Sequence, residues 1–304
     1  MNNITHKIYT LRQAIAQATL QVSNTQTLLA IQENKVPKGN IFEFARAAGL
    51  LAIKNTSNVI PDCHPLPIEY AHIQTQLTPD GITITVEVHT IYRTGVEVEA
   101  MHGAAIAALT IYDMLKPIDK GVAITGVKLL QKTGGKSDFT DTLAKPLTAA
   151  VIVCSDTVSK GKKPDTAGKS IIDRLATFGI NQPAYHVIPD EVAAIQELVL
   201  QHADNHATDL VLLTGGTGLS PRDVTPEAIT PLLHRPIPGI MEAARQYGQN
   251  RMPYAMLSRG VAGLRGNTLI ITLPGSTRGA QETLDALFPY LLHIFKVAQG
   301  ARHD

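Results

Sequence analysis

The sequence predicts two domains of different class: an α+β first half built on an antiparallel sheet, and an α/β second half with a doubly wound, mainly parallel sheet. Three observations lead there. At 304 residues the chain exceeds what one hydrophobic core ordinarily spans. In the first half, residues 81–90 alternate apolar and polar, as expected of a sheet covered on one face only. In the second half, short and largely apolar runs (149–154, 209–213 and 267–273) each lead into a turn and an amphipathic stretch, the rhythm of buried parallel strands with crossover helices.

Composition narrows the function. A net charge of +1 gives no global basic field for nucleic acid or an anionic membrane, so any anion must be gripped locally. The two cysteines, Cys63 and Cys154, fall in different halves, which argues for a reducing compartment and against a disulfide framework or a zinc site. A polar opening and the lack of an apolar span of bilayer length lead us to expect a cytoplasmic protein.

Residues 10–22 carry Leu11, Ala14, Ile15 and Ala18 at spacings of three and four, which suits a helix or an amphipathic strand and turn equally well. A loop at 35–40 precedes a helix over 41–54 with Phe44, Ala48 and Leu51 on one face. Prolines around Asp62, Cys63 and His64 fix a non-helical backbone. The strand 81–90 puts Ile82, Ile84, Val86 and Val88 on its apolar side. A helix over about 98–116 is rich in small residues (Ala100, Gly103, Ala104, Ala107, Ala108), which favours close packing with a helix or a subunit. Asp113 and Lys116, three apart, share part of its surface; a solvated ion pair is the plain reading.

Five ordered blocks change that reading. Lys38-Gly, Asp62-Cys-His64-Pro-Leu-Pro, Thr94-Gly-Val-Glu-Val-Glu-Ala, Ala108-Leu-Thr-Ile-Tyr-Asp-Met and Lys132-Thr-Gly-Gly-Lys-Ser together resemble the MoaC family of cyclic pyranopterin monophosphate synthases, over residues 5–137. The resemblance implies a ferredoxin-like fold with helices on one side of the sheet. It also implies a reaction on cyclised dihydro-GTP in which the pyranopterin ring and a cyclic phosphate form and pyrophosphate leaves. Carried over residue by residue, Asp113 is the acid/base and Lys116 its partner, while Asp62, Cys63, His64, Val98 and Glu99 match the substrate-binding blocks. Lys38, Lys54, Lys132 and Lys136 are cations suited to a triphosphate. Two departures stand out: Asp62 and Val98 occupy positions where the family usually has an apolar residue and methionine. Glu99 and Asp113, fourteen residues apart on one helix, are separated by roughly 21 Å at about 1.5 Å per residue. One small substrate cannot reach both, so the site is expected to be shared between subunits of a homo-oligomer.

A polar stretch ending in Pro146 marks a linker over 141–147, between domains at 1–140 and 148–304. Beyond it, Ser155 and Asp156 follow the first apolar strand, and Asp165 or Thr166 caps the next helix. Asp190 ends the strand 185–190, and a crossover helix spans about 191–203. The strand 209–213 then runs into Thr-Gly-Gly-Thr-Gly (214–218), where Gly215, Gly216, Thr217 and Gly218 offer backbone amides to an anion. Arg222 and Asp223 follow, then Thr225 as an N-cap with Pro226 at the first helical position. Neither a P-loop nor a dinucleotide fingerprint fits this spacing. A helix with Met241, Ala244 and Tyr247, the strand 267–273, Gly275 and Ser276, and a helix from about Gly279 with Leu284, Leu287 and Leu291 inward complete the half. Asp156, Asp190 and Asp223 all fall at strand carboxyl ends, where open parallel sheets bind ligands.

The glycine turn with Arg-Asp-Val-Thr-Pro-Glu-Ala (222–228) resembles the MoaB/Mog family of molybdopterin-binding proteins, some of them molybdopterin adenylyltransferases; Ser258, Arg259, Gly275 and Ser276 match further blocks. That resemblance implies a fold of molybdopterin-binding type, with Asp190 and Asp223 holding Mg²⁺ and orienting ATP as substrate while the phosphate of the pterin attacks its α-phosphate. No tightly bound cofactor, nucleic acid or membrane is implied. Two other readings stay open: a second half that binds or docks molybdopterin without catalysis, and an oligomeric hub. Sulfur is added between the two implied reactions, so docking of molybdopterin synthase is an expected partnership.

Overall fold

The computed structural model describes residues 1–139, 141 and 145–298. It divides into two compact units, Met1–Phe139 and Thr140–Asp304. Of the expected linker, 142–144 lie outside the described residues. Asp141 accepts hydrogen bonds from Lys296 and His293, and Leu147 is buried, so the described part is held against the second unit.

The first unit runs β1 (Thr10–Gln21), α1 (Thr25–Gln32), α2 (Ile41–Lys54), α3 (Thr56–Val59), β2 (Tyr70–Thr78), β3 (Gly81–Tyr92), α4 (Glu97–Leu115) and β4 (Ala123–Thr133). Its sheet order is β2-β3-β1-β4, antiparallel throughout, the ferredoxin-like arrangement expected. The ambiguous opening stretch is the strand β1. Its alanines favour helix locally, but β1 is hydrogen-bonded on both sides, and Ala14, Ala16, Ala18 and Leu20 form its buried face. Ile82, Ile84, Val86 and Val88 of β3 join the same core, and each such burial is worth about 1.5–3 kcal/mol, more than the helical preference of an alanine.

The orientation of α2 departs from the simplest reading of its pattern. Phe44 and Leu51 are 58% and 64% exposed, and the buried face is Ile41, Ala45, Gly49, Ala52 and Ile53. Small residues decide this. A Cβ on Gly49 would stand 3.1 Å from the Gly103 carbonyl of α4, so the two backbones meet where side chains are least. Four elements of this unit gave no clear signal in the sequence: α1, α3, β2 and β4.

The second unit runs β5 (Ala149–Cys154), α5 (Asp156–Ser159), α6 (Ala167–Ala176), β6 (Ala184–Ile188), α7 (Val192–Leu200), β7 (Leu210–Thr214), α8 (Thr225–Ile229), β8 (Arg235–Pro236), α9 (Pro238–Gln249), β9 (Ala262–Arg265), β10 (Thr268–Leu273), α10 (Thr277–Leu287) and α11 (Ile294–Val297). Strand order is β6-β5-β7-β10-β9-β8, parallel through the first four and antiparallel at β9 and β8. Ile195 and Val199 of α7 and Ala228 and Ile229 of α8 cover one face through Ile152, Leu213 and Ile270, whereas α6 lies on the side of Val153. The expected doubly wound, mainly parallel sheet is therefore present.

Three local expectations are corrected or resolved. Thr225 does not cap α8: Val224 precedes it, and the Thr225 hydroxyl donates to the Gly215 carbonyl (2.9 Å), tying the helix start to the glycine turn. Asp165, not Thr166, caps α6, accepting from the N–H groups of Gly168 and Lys169. Leu291 falls beyond α10 in a 3₁₀ turn, where Leu292 takes the buried place. Among the described residues, no helix is long and apolar enough to cross a membrane.

Candidate functional site

In the first unit the candidate residues form two groups at opposite ends of α4. At its C-terminal end, Asp113 receives Lys38 on one carboxylate oxygen (2.6 Å) and Lys116 on the other (2.8 Å). The glycine loop before α2 brings Lys38 there; Lys116 follows from its i+3 position. The ammonium of Lys116, then that of Lys38, drives the carboxyl of Asp113 down to about 2, and Asp113 in turn raises Lys116. The resting trio is a carboxylate between two held protons, half exposed to solvent.

At the N-terminal end, Glu99 is 2% exposed and accepts from the Cys63 thiol (3.1 Å), while its other oxygen is buried without a partner. Burial raises the Glu99 carboxyl, and burial followed by the Glu99 contact pushes Cys63 up to about 12. The Cys63 proton is spent on Glu99, so the donor left for a lone pair on a heterocycle is the unpartnered oxygen of a carboxyl biased towards its neutral form. Asp62 pairs with the amino group of Met1 (2.7 Å), and His64 Nε2 donates to the Asn2 carbonyl (2.8 Å). Lys132 meets Glu97 in the first turn of α4 (3.3 Å), so it belongs to this end too. Glu97 itself escaped the sequence reading. Val98 is exposed on the outer face of α4, Lys54 ends α2, and Lys136 opens the 3₁₀ turn Lys136–Phe139.

In the second unit the residues converge. The lining of a cavity of about 550 Å³ includes Gly216, Thr217, Gly218, Asp223, Ser258, Gly275 and Ser276 together with the apolar Met241, Tyr254 and Leu257. A smaller and more polar cleft of about 240 Å³ shares Gly216, Asp223 and Gly275 with it and adds Ser155, Thr157, Asp165 and Asp190. Asp190 and Asp223 thus face one cleft. A Cβ on Gly216 would stand 3.1 Å from Asp190 Oδ1, and one on Gly218 would stand 2.9 Å from Asp223 Oδ2.

Asp156 and Asp190 lock each other: Asp190 Oδ2 accepts the Asp156 N–H (2.9 Å), and Asp156 Oδ1 accepts the Asp190 N–H (3.4 Å). Arg222 donates twice to Asp156 Oδ2 (2.9 and 2.6 Å), which holds that carboxyl low. Asp190 keeps Oδ1 buried and without a partner, and burial, then the Asp156 and Asp223 charges, raise its carboxyl. Asp223 Oδ2 accepts the Ser220 N–H (2.7 Å), and Ser155 caps α5. Among the described residues no three His, Cys, Asp or Glu side chains surround a common point. A divalent ion here would therefore have two carboxylates and take its other oxygens from phosphate and water, the habit of Mg²⁺. The orphaned Asp190 oxygen fits such an ion.

Gly215 makes the turn possible. It holds φ +105°, and a Cβ would stand 2.2 Å from the Cys154 carbonyl. Gly215→Ala is expected to cost at least about 1–3 kcal/mol, lowering the melting temperature of the second unit by about 2–4 °C per kcal/mol. Calorimetry together with assay of the first unit, whose activity should persist, checks this.

Comparison with known proteins assigns each unit to a family. The MoaC family profile matches residues 1–135, and the family described as "Probable molybdopterin binding domain" matches 150–293. Over its whole length the chain is 36% identical to a molybdenum cofactor biosynthesis bifunctional protein of Chlorobaculum tepidum, covering 96% of that protein. It is 47% identical over 140 residues (45% of this chain, 86% of the relative) to a cyclic pyranopterin monophosphate synthase of Listeria welshimeri. Among solved structures, the molybdopterin biosynthesis enzyme MoaB of Thermus thermophilus is 42% identical, covering 52% of this chain and 99% of its own, with a TM-score of 0.48.

Proposed function

The chain belongs to the molybdenum cofactor biosynthesis bifunctional proteins, a MoaC-family synthase domain followed by a molybdopterin-binding domain, and from that premise we propose the chemistry of each site. The first unit converts cyclised dihydro-GTP to cyclic pyranopterin monophosphate with release of pyrophosphate. Lys38 and Lys116 grip the triphosphate. As they turn to it, the charges that hold Asp113 low are withdrawn, so its basicity recovers at the moment a proton must move. Lys116 carries the proton to be donated. Cys63 and Glu99 hold the ring.

These two groups sit on one helix about 21 Å apart at 1.5 Å per residue, so a complete site draws its halves from two copies of the chain. Exposed apolar side chains support such contact: Phe44 and Leu51 on α2, Leu109 on α4, and Ile124, Leu129 and Leu130 on the edge strand β4.

The second unit adenylylates molybdopterin with ATP. The observation that carries this reading is the pairing of Asp190, with its orphaned oxygen, and Asp223 across the glycine turn. Asp190 and Asp223 would hold Mg²⁺, which when bound offsets charge on both phosphate groups. The Gly215 amide is taken by the Leu273 carbonyl (3.2 Å), so the amides of Gly216 to Gly218 and of Gly275 and Ser276 receive phosphate oxygens, and the larger cavity, with Met241, Tyr254 and Leu257 in its lining, receives a planar ring. Supplying molybdopterin, ATP and Mg²⁺ to the wild type and to Asp223→Ala tests this. Pyrophosphate and adenylylated pterin are expected from the wild type alone. A wild type that binds molybdopterin and yields no pyrophosphate would instead be a carrier or docking module.

A further inference from the structure

We propose that Arg259, a residue that lines neither cavity, sets the phosphate-binding face of the glycine turn in the second unit; this rests on the adenylyl-transfer reading. Arg259 lies just ahead of β9, and its side chain is 33% exposed. Its Nε donates to the Gly218 carbonyl (2.7 Å), its Nη2 donates to the Asp223 carbonyl (2.5 Å), and its Nη1 pairs with Glu227 of α8. Its own backbone N–H donates to the Thr217 carbonyl (3.1 Å). One residue therefore fastens both ends of the segment 217–223.

The consequence follows from peptide geometry. In a trans peptide the carbonyl and the next N–H point in opposite directions. With the carbonyls of Thr217 and Gly218 turned onto Arg259, the N–H groups of Gly218 and Leu219 are turned away from it. Both residues line the larger cavity, where such donors meet an anion. The bond to the Asp223 carbonyl fixes the backbone that carries the Asp223 carboxylate beside Gly218.

Only a planar fork with several donors satisfies two carbonyls and a carboxylate at once; an ammonium on a flexible stem cannot span them. Glu227, held low by Arg259, keeps the guanidinium in place from the far side. Arg259 is thus a positioning residue: it acts on phosphate through the loop and does not touch it.

The test uses the full chain, with Arg259→Lys, Arg259→Gln and Glu227→Gln beside the wild type. Calorimetric titration with Mg²⁺-ATP and with inorganic pyrophosphate measures anion binding, and adenylyl transfer gives KM and kcat separately. Arg259→Gln is expected to weaken both ligands by about tenfold or more, with partial rescue in Arg259→Lys and a smaller loss in Glu227→Gln. The increase in KM for ATP should exceed any fall in kcat, and thermal unfolding should stay near that of the wild type. Wild-type affinity in Arg259→Gln overturns the proposal, as does a loss that only tracks lowered melting temperature, or a wild type that binds neither ligand. A wild type that binds ATP without turnover sinks the adenylyl-transfer reading alone, and the binding series still decides the role of Arg259.

Discussion

Asp113→Asn is expected to lower kcat for cyclic pyranopterin monophosphate formation by about 10²–10⁴-fold, the range for loss of a general acid–base group. Asparagine keeps the shape and can still accept from one lysine, but it has no proton affinity to offer. Because Asp113 is half exposed, its ion pairs with Lys38 and Lys116 contribute little to stability, and the variant should unfold with the wild type. Loss of rate with an unchanged melting temperature separates chemistry from folding. A variant with wild-type kcat would remove Asp113 from the reaction. The same variant tests the shared site. Mixed with Glu99→Gln after dissociation and reassembly, Asp113→Asn should recover activity that neither has alone. In a two-fold symmetric pair, random mixing restores about one quarter of the sites. No recovery would place both residues' work within a single chain.

How much of this was legible in the sequence depends on burial. Strands β5, β7 and β10 are buried at every position, so each reads as a largely apolar run with a turn directly after it. That put Asp156, Asp223 and Gly215–Gly218 beyond the ends of β5 and β7, and the fold brings Asp190 to them from the end of β6, a strand with no fully buried residue. By contrast, β2 buries one residue, Ile73, and β4 none, so neither edge strand carries the alternation that reveals a half-covered sheet. The alanines of β1 fit two periodicities, and only pairing with β3 and β4 chooses between them. The outward turn of α2 follows from Gly49 meeting Gly103, a contact between residues 54 positions apart that no local pattern contains. Glu97 was hidden for a similar reason, and Arg259 showed only as a match to a family block, with no role attached. Their importance lies in what they hold, Lys132 and the carbonyls of a loop some forty residues earlier.

Asp190→Asn carries the second large effect, and it has opposite signs for activity and stability. Burial and two neighbouring carboxylates raise the folded-state carboxyl of Asp190 above its ordinary 3.8. The folded protein therefore binds more protons than the unfolded chain between 3.8 and the raised value, so this group's contribution to stability is present below 3.8 and is lost as pH rises through that window. Above that window and without a cation, ionised Asp190 works against the fold. Asparagine removes the charge and presents an N–H donor to a neighbourhood of carboxylates, so Asp190→Asn should melt higher than the wild type in the absence of Mg²⁺. Excess Mg²⁺ should raise the wild-type melting temperature and leave the variant unmoved, since the ion binds the folded state through the carboxylate that was replaced. Adenylyl transfer should fall by about 10²–10³-fold or more, as for removal of a group that stabilises developing charge. Melting curves with and without Mg²⁺ at neutral pH and at pH 5, with the pyrophosphate assay alongside, decide the matter. The Mg²⁺ shift of the wild type should shrink at the lower pH, where proton and metal compete for the same oxygen. A variant that melts lower than the wild type without Mg²⁺, or that keeps the Mg²⁺ shift, would mean that the buried oxygen of Asp190 serves the fold and not the ion.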